Sequence, residues 1–249
     1  MGDERIRLDV LLTERGLTQS RSRARDAIIR GQVHVDGAVL SKPGTLIAPG
    51  SSIKLTDPAD GYVSRSALKL VAGLKAFQIN LAGRRVLDVG ASTGGFTQVA
   101  LDQGATHVTA MDVGHSQLHP KIASDPRVLN LESFNARHLA ASHLPGPIDA
   151  IVCDVSFISL KLAISPALHL AEPGAVGVLL IKPQFEVGRA DIGKGGVVKD
   201  AKRAEAVTNE LADWFASQAG WTVIGLVPSP IAGSDGNQET LIGLRKSAI

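Results

Sequence analysis

The chain has 249 residues, of which 26 are glycine, 44% are hydrophobic and 4% are aromatic. This composition excludes a disordered chain and is typical of an α/β protein with an aliphatic core, long enough for one large domain and a small second one. The formal net charge of +2 does not by itself indicate a nucleic-acid partner, so that argument needs local clusters of charge.

Features of the sequence also restrict the compartment. Cys153 is the single cysteine, which excludes an intramolecular disulfide. The start MGDERIRLDV lacks the layout of a signal peptide, and apolar runs such as 176–181 are far shorter than the roughly 18 residues of a membrane span. We therefore expect a cytoplasmic protein that does not cross a membrane, with a monomer as the default oligomeric state.

Two amphipathic helices are predicted at the start of the chain. The segment RLDVLLTER (7–15) has apolar residues at helical spacing, and RSRARDAIIRG (21–31) can begin at a Ser20 cap and end at Gly31. Five arginines lie between positions 15 and 30, and we expect only Asp26 to face them as a local countercharge. Such density is expected where several phosphates are held, but a solvated helix face has the same pattern.

A short β-ribbon is predicted after the helices. The segment QVHVDGAVL (32–40) has the side-chain alternation of a β-strand on both sides of an Asp-Gly turn, which predicts a hairpin. The segment SSIKL (51–55) predicts another strand. Residues 6–55 together resemble the S4 RNA-binding domain, whose helix pair presents arginines to structured RNA and whose sequence ends in a hairpin like 33–37. The resemblance implies binding through phosphates and backbone shape rather than base stacking. The candidate RNA-binding residues are Arg21, Arg23, Arg25, Arg30 and Arg65.

The cluster DPADG (57–61) predicts a linker, which divides the chain into domains 1–58 and 59–249. In the second domain, RRVLDVGASTGGFTQVAL (84–101) predicts a strand, a glycine loop and a helix, as in nucleotide-binding folds. Its spacing G-x-x-x-G-G places Ser92 where the dinucleotide fingerprint requires glycine, which disfavours NAD.

Two acids sharpen the interpretation of this loop. Asp88 ends the first strand, where it could meet the ammonium of a cationic cofactor, and Asp112 ends the next, where it could accept hydrogen bonds from two ribose hydroxyls. These features resemble motifs I and II of class I methyltransferases and imply S-adenosyl-L-methionine as the cofactor. Asn135 follows the third strand, where such methyltransferases often hold the adenine. Both acids also fit an ordinary strand end, and Asn135 also fits a plain turn. The candidate cofactor-binding residues are Asp88, Gly90, Ala91, Ser92, Thr93, Gly94, Gly95, Phe96, Asp112, Val113 and Asn135.

Strand-like segments recur through the second domain and alternate with helical ones. They lie at about 84–88, 107–112, 127–130, 148–153, 175–181, 221–227 and 240–245. The alternation predicts an α/β fold with a doubly wound sheet, ligands at the carboxyl ends of its strands and an antiparallel last strand. With the resemblance above, we expect a class I, Rossmann-like methyltransferase fold behind a small α+β domain.

Four residues near strand ends form a candidate catalytic set. They are Lys69, Asp154, Lys182 and Glu239. Methylating a hydroxyl of high pKa needs a group that takes or weakens its proton and a rigid in-line approach, and a lysine beside acids can supply the first. Each residue alone also fits a structural role, but the Lys-Asp-Lys-Glu order resembles the tetrad of FtsJ-like ribose 2′-O-methyltransferases.

With the S4-like domain in front, the segments SRSALKL, DVGASTGGFT, CDVSFISL and KPQFE make nearly the whole chain resemble the TlyA/hemolysin A family. The resemblance implies 2′-O-methylation of cytidine in small-subunit ribosomal RNA, with large-subunit RNA as a second candidate, so the partners would be ribosomal RNA or ribosomal subunits. Within it, we expect Lys182 to handle the proton, Asp154 and Lys69 to orient it and neutralise charge, and Glu239 to position Lys69 or the ribose.

Some assignments stay open from the sequence alone. Glu186 competes with Glu239 for the fourth position of the set. The segment 188–199 is either a lid over RNA, with Arg189, Lys194 and Lys199 meeting phosphates, or a flexible loop.

Rival chemistries are disfavoured. A nucleophilic Cys153 would suggest a pyrimidine C5-methyltransferase, but Cys153 and Asp154 should point to opposite faces of their strand, so a buried cysteine is expected. His115 and His119 have the spacing of metal ligands on a helix, but Pro120 follows and no third ligand is evident, so no metal is expected. The rival functions are a non-catalytic RNA-binding ribosome-assembly factor and a membrane-lytic hemolysin; the sequence shows no lytic amphipathic helix.

Overall fold

The computed structural model describes residues 5–18, 20–233 and 235–248. The chain divides into two units, Met1–Asp60 and Gly61–Ile249, and each has a hydrophobic core of its own. The predicted linker, 57–61, spans the division between them.

In the first unit, both predicted helices are present. Helix α1 spans Leu8–Glu14 and helix α2 spans Arg21–Ile29. The Ser20 hydroxyl accepts a hydrogen bond from the Arg23 backbone N–H at 3.3 Å, which is the predicted N-cap. Gly31 has a φ of +71°, the left-handed conformation that commonly ends a helix.

Two small antiparallel sheets complete the first unit. Strands β2 (Val33–Val35), β3 (Ala38–Val39) and β5 (Ile53–Leu55) form one sheet in the order β3-β2-β5. Asp36 and Gly37 have φ of +50° and +86°, as a two-residue type I′ hairpin requires. The second sheet pairs β1 (Ile6–Arg7) with β4 (Leu46–Ile47) and was not predicted, because two residues are too few to show alternation.

The described part of the second unit contains one seven-stranded sheet. Its strands are β6 (Arg85–Val89), β7 (His107–Met111), β8 (Val128–Leu131), β9 (Ile148–Cys153), β10 (Ala171–Ile181), β11 (Trp221–Pro228) and β12 (Thr240–Lys246). Across the sheet they lie in the order β11-β12-β10-β9-β6-β7-β8. Strand β12 is antiparallel to both of its neighbours, whereas the pairs from β10 to β8 are parallel. The predicted doubly wound α/β sheet with a reversed last strand is confirmed.

Helices cover both faces of this sheet. They are α3 (Ala67–Ala76), α4 (Gly95–Asp102), α5 (Pro120–Ala123), α6 (Leu160–Leu170) and α7 (Ala201–Ala216). One core contains Leu70 of α3 and Phe96 of α4, and the other contains Ile164 of α6 and Phe215 of α7. Burial on both faces explains why the central strands are mostly apolar. None of the helices in the described ranges is long and apolar enough to span a membrane.

Strand β10 begins earlier than the sequence predicts. The prediction placed its start near residue 175, whereas the observed strand begins at Ala171. Its pairing with β9 shifts register between Ala171 and Val176, and Gly174 has a φ of +81°. The intervening Glu-Pro-Gly has the composition of a turn, so a bulged strand start could not be distinguished from a loop.

The order of the strands determines where a ligand can bind. Strands β6 and β9 are neighbours. After β6 the chain continues to β7 and β8 on one side of the sheet, and after β9 it continues to β10 on the other side. The Asp154 N–H, just after β9, donates to the Val89 carbonyl oxygen at 3.0 Å. The segments after β6 and β9 therefore lie together at the switch point of the sheet, where open α/β folds bind ligands.

Candidate active site

The loop after β6 needs glycine at two positions. Gly90 has a φ of +85°, and a Cβ there would lie 2.8 Å from the Asp154 carbonyl oxygen. Gly94 has a φ of +97°, and its Cβ would lie 2.8 Å from Leu118 Cδ1. Between them, Ser92 adopts a φ of +47° that non-glycine residues rarely use. The sequence pattern thus matches a loop that is both tightly turned and closely packed.

This loop forms one wall of a pocket of about 490 Å³, here called the main pocket. Its other walls come from the segments after β7, β8 and β9, including Val113, Asn135 and Phe157. The size lies within the range of about 300–1,000 Å³ that is usual for small-molecule and cofactor sites. Gly90, Ser92, Asp112, Val113 and Asn135 are the predicted cofactor residues that line it.

Asp112 is fixed at the edge of the main pocket by backbone donors. The Ser92 N–H donates to its Oδ2 at 2.8 Å, and the Gly114 N–H donates to its Oδ1 at 2.7 Å. Each carboxylate oxygen keeps a further lone pair, because an ionised carboxylate has about four acceptor sites. The geometry therefore leaves Asp112 able to accept hydrogen bonds from a ligand diol.

Asp88 lies behind the glycine loop and lines neither pocket described in this section. It is 0% exposed, and the Thr97 hydroxyl donates to its Oδ2 at 2.6 Å. Its Oδ1 has no hydrogen-bond partner in the described part of the chain. Burial raises the pKa of Asp88 to about 7. The position at the strand end agrees with the prediction, but the side chain supports the loop and does not reach the pocket.

A smaller side pocket of about 160 Å³ adjoins the main pocket. The two share Gly90, Ser92, Asp154 and Ser156, and the side pocket adds Lys182. Two further cofactor candidates, Ala91 and Phe96, also line the side pocket. Thr93 and Gly95 line neither; the Thr93 carbonyl accepts the His119 N–H, and a Cβ at Gly95 would meet Ser66 Oγ at 2.4 Å.

The four predicted catalytic residues come together beside the side pocket. Lys69 Nζ lies 2.6 Å from Glu239 Oε2 and 3.6 Å from Asp154 Oδ2. Lys182 Nζ lies 2.6 Å from Asp154 Oδ1, in the geometry of an ion pair rather than an aligned hydrogen bond, and donates to Ser156 Oγ at 2.8 Å. The four side chains are 12% exposed or less. Acids and lysines therefore alternate in the order Glu239, Lys69, Asp154, Lys182.

The two ends of this alternating set differ in their surroundings. Asp154 and Lys182 line the side pocket, whereas Lys69 and Glu239 lie behind them. Burial raises the pKa of Glu239, and the Lys69 ammonium acts in the opposite direction. The arrangement places one ammonium at the pocket wall and supports it with a buried pair.

Glu186, the alternative to Glu239 as the fourth residue of the catalytic set, has a different role. Its Oε2 accepts a hydrogen bond from the Ser159 hydroxyl at 2.9 Å, and its Oε1 accepts the Leu160 N–H at 2.6 Å. It thus binds the free N–H at the start of α6, where a helix favours a carboxylate. Glu239 is the acid that contacts Lys69.

Phe157, an exposed aromatic side chain at the wall of the main pocket, was missed from the sequence. Phe157 is 91% exposed with a φ of +65°, and its ring centroid lies 5.0 Å from that of Phe185. A bulky residue in the left-handed region is strained, so such an outlier points to function. The segment DVSF contained the residue, but no pattern in the sequence distinguishes an exposed phenylalanine from a buried one.

The residues behind the rival chemistries have structural roles. Cys153 is fully buried in the second core, as predicted, and burial raises the pKa of its thiol, which disfavours a nucleophilic role. His119 caps α5 by accepting the Lys121 N–H at Nδ1, 3.2 Å away, and His115 lies outside that helix. Within the residues that the structure describes, no three His, Cys, Asp or Glu side chains are grouped to hold a metal ion.

The arginines of the first unit have more countercharges than the sequence suggested. Arg21 Nε lies 3.2 Å from Asp9 Oδ2, and Arg30 pairs with Asp57 at 3.0 Å as well as with Asp26. The expectation that Asp26 alone faces them is therefore wrong, because Asp9 and Asp57 are distant in sequence and adjacent only in the fold.

The remaining RNA-binding candidates differ in exposure. Arg23 donates to the Ala59 carbonyl oxygen at 2.9 Å, while Arg25 lies on the exposed side of α2. Arg65 lies in the second unit, in the turn before α3, and is partly buried. Arg25 is thus the most accessible of these cations.

The segment 188–199, the predicted lid, is here called the strap. It contains 3₁₀ turns at Arg189–Asp191 and Lys194–Gly196, and a bridge joins Ile192 to Val198. Of its three cations, Lys199 donates to the Ala190 carbonyl oxygen at 2.9 Å, while Arg189 and Lys194 are exposed. Its contact with RNA stays a prediction.

Comparison with known proteins finds relatives along nearly the whole chain. Residues 62–246 match the family model of FtsJ-like methyltransferases, and residues 6–53 match the S4 domain. The chain is 45% identical over 97% of its length to the 16S/23S rRNA (cytidine-2'-O)-methyltransferase TlyA of Mycobacterium tuberculosis, of which it covers 90%. It is 39% identical over 95% of its length to Hemolysin A of Brachyspira hyodysenteriae, of which it covers 98%.

Solved structures agree with these matches. A candidate hemolysin from Streptococcus thermophilus superposes with a TM-score of 0.76 at 38% identity, covering 99% of this chain and 90% of that one. An O-methyltransferase from Bacillus cereus in complex with SAH has a TM-score of 0.51 at 17% identity, covering 76% of this chain and 84% of that one. The second likeness is one of fold alone.

Proposed function

The chain belongs to the FtsJ-like methyltransferase family, and on this premise we propose that it methylates a ribose 2′-hydroxyl of ribosomal RNA, with cytidine as the acceptor nucleoside and S-adenosyl-L-methionine as the methyl donor. The observation that carries the proposal is the alternating Glu239, Lys69, Asp154 and Lys182 set beside the glycine-loop pocket. The name of the 45% identical relative supports the nucleoside and the RNA class.

The residues present fit this cofactor. Gly90 lines both pockets without a side chain, so the backbone there can approach a ligand closely, and Asp112 can accept hydrogen bonds from the two hydroxyls of a ribose. Asn135 and the apolar groups around it would hold the base. When bound, S-adenosyl-L-methionine supplies an electrophilic methyl group.

The chain's own residues then act on the acceptor hydroxyl. Lys182, acting as its neutral amine, would hold the 2′-oxygen in line and take its proton as the new bond forms, which leaves an ammonium beside Asp154. Asp154 fixes the Lys182 ammonium, and Lys69 compensates the charge of Asp154. Glu239 in turn positions Lys69. The alternation keeps every charge paired in a site that excludes most water, where an unpaired charge is costly.

The nucleotide itself needs a contact for its base. Phe157 stands exposed at the wall of the main pocket with Phe185 against it, which offers a flat apolar surface to a base turned out of its stack. Recognition of unpaired bases by aromatic side chains is the common mode in RNA-binding proteins. The first unit would add phosphate contacts through the exposed side of α2.

The experiment that tests this function is transfer of labelled methyl from S-adenosyl-L-methionine to purified ribosomal subunits and to protein-free ribosomal RNA. We expect transfer to at least one of these acceptors and none to transfer RNA. The absence of transfer to every ribosomal acceptor, despite RNA binding, would favour a non-catalytic assembly factor instead.

A further inference from the structure

A buried side chain from the loop before β12 is hydrogen-bonded to the strap backbone at two points. Asn237 is 4% exposed; its Oδ1 accepts the Val198 N–H at 3.0 Å, and its Nδ2 donates to the Gly196 carbonyl oxygen at 2.9 Å. Both polar ends of the amide are therefore used on the strap backbone. Losing either bond leaves a buried polar group unpaired, so the amide favours one position of the strap.

The same loop packs around Glu239. The Gly233 N–H donates to the Asn237 carbonyl oxygen at 2.9 Å, and the Ser229 N–H donates to the Glu239 carbonyl oxygen at 2.9 Å. A Cβ at Gly233 would lie 2.9 Å from Glu239 Oε1, so the loop backbone leaves the carboxylate little room to move. The backbone of Asn237 and that of Glu239, two residues further along the chain, are therefore fixed within one packed loop.

The loop also contacts the segment that follows Lys182. Gln184 Nε2 donates to Asp235 Oδ2 at 3.1 Å, and Ile181 pairs with Thr240 in the register of β10 and β12. Lys182 directly follows Ile181, and Glu239 directly precedes Thr240, the residue with which Ile181 pairs. One loop therefore contains Glu239 and contacts the segment that follows Lys182.

We propose that Asn237 is a positioning residue for methyl transfer: it joins the strap to Glu239, so that the seating of the strap determines the geometry of the Lys69–Glu239 pair. This inference rests on the proposed function. The strap also carries the exposed Arg189 and Lys194, so RNA phosphates that contact it would be coupled to Glu239 through this amide.

The test compares Asn237→Ala and Asn237→Asp with Asn209→Asp, an exposed asparagine on α7, as the matched control. For both Asn237 variants we expect kcat on ribosomal RNA to fall at least about tenfold, with the cofactor Kd within about twofold of the unmodified protein. Trypsin should cleave after Lys194 faster in Asn237→Ala, because the strap is released.

Asn237→Asp provides a second, distinctive readout. Its carboxylate can still accept the Val198 N–H but repels the Gly196 carbonyl oxygen, whereas its protonated form can donate to that oxygen again. The ratio of its kcat to that of the unmodified protein should therefore rise as pH falls. The same ratio for Asn237→Ala should stay constant.

Two results would overturn the inference. In the first, the unmodified protein methylates ribosomal RNA and the Asn237 variants match its kcat. In the second, cofactor affinity falls by the same factor as kcat, and the melting temperature falls as well, which would mark Asn237 as a purely structural residue. Lack of methyl transfer by the unmodified protein itself is a different result: it would refute the proposed function, and the inference with it.

Discussion

Lys182 brings a positive charge to the wall of the side pocket, where Asp154 holds it at 2.6 Å and Ser156 accepts its hydrogen bond. Lys69 and Glu239 lie behind this pair and complete the alternation of charge. In this arrangement a single ammonium faces the space for the acceptor while the other charges orient it, which is the preorganisation that favours electrostatic catalysis.

We predict that Lys182→Ala lowers the rate of methyl transfer at least about 100-fold, the usual scale for loss of an acid–base group, while the cofactor Kd changes less than about twofold. Single-turnover transfer and equilibrium cofactor binding measure the two effects. Lys202→Ala, which removes an exposed lysine of α7, is the matched control and should change neither. Full turnover by Lys182→Ala would remove Lys182 from the mechanism.

Asp88 makes stability depend on pH. Its pKa of about 7 in the fold lies above the value of roughly 3.9 in an unfolded chain, because burial penalises the charged form. The stability that the neutral carboxyl contributes is therefore complete below the unfolded pKa and is lost as pH rises through about 7.

Asp88→Asn is uncharged at every pH and keeps an oxygen that can accept the Thr97 hydroxyl. We predict that its free energy of unfolding, relative to the unmodified protein, increases by roughly 2–4 kcal/mol between about pH 4 and about pH 8. Urea denaturation without cofactor measures this difference. A constant difference across that range would show that Asp88 is already ionised in the fold.

The sequence predicts which polar residues lie at strand ends, but it does not predict what their side chains contact. Asp88, Asp154, Lys182 and Glu239 were all found from their places at strand ends, since strand ends converge in an α/β sheet. The burial of Asp88 and the capping role of Glu186 depend on which side chain faces which element. That information arises only from packing, as it does for the exposed ring of Phe157.

The loop after β7 is an element that no local pattern predicted. Glu132, just after β8, accepts the N–H groups of Ser116, Gln117 and Leu118 at 2.6–2.9 Å. These backbone hydrogen bonds lower the pKa of Glu132. One carboxylate therefore holds the loop that brings Gln117 to the wall of the main pocket.

Glu132→Gln should loosen this loop, since an amide oxygen is a weaker acceptor than a carboxylate and its NH₂ group cannot accept. We predict that the cofactor Kd rises about fivefold to tenfold at neutral pH, with little change in kcat at saturating cofactor. For the unmodified protein, the same weakening should appear as pH falls through the lowered pKa of Glu132. Isothermal titration, with the exposed Glu205→Gln as control, tests this; equal affinities would contradict it.

Helix α2 is the element expected to meet RNA. Asp9, Asp26 and Asp57 pair with Arg21 at its start and with Arg30 just after its end, whereas Arg25 is exposed. The density of arginines was visible in the sequence, but the acids that neutralise part of it come from other elements. The charge available for phosphates is therefore smaller than the arginine count alone suggests.

Arg25→Glu should weaken binding to ribosomal RNA and reduce the slope of log K against log salt by about 1, because one phosphate contact is lost. Arg245→Glu, on β12 of the other unit, is the charge-matched control. Fluorescence anisotropy over a salt series measures both quantities. An unchanged slope for Arg25→Glu would place the RNA-binding surface elsewhere.

At the scale of the whole molecule, alternation of strands and helices was enough to predict the seven-stranded sheet and its reversed last strand. The type I′ hairpin and the Ser20 cap followed from local turn and capping rules. Long-range pairings such as β1 with β4, and the contacts of Asn237 with the strap, join segments with no shared local pattern. They could only be found from the fold.

We expect the methyl acceptor to be a ribose 2′-oxygen and not a base. Ribosomal RNA labelled by the protein should be hydrolysed with alkali, which cleaves a phosphodiester only where the neighbouring 2′-hydroxyl is free. We predict that the labelled methyl appears in alkali-resistant dinucleotides. Label recovered in mononucleotides would mean methylation of a base and would contradict the role assigned to Lys182.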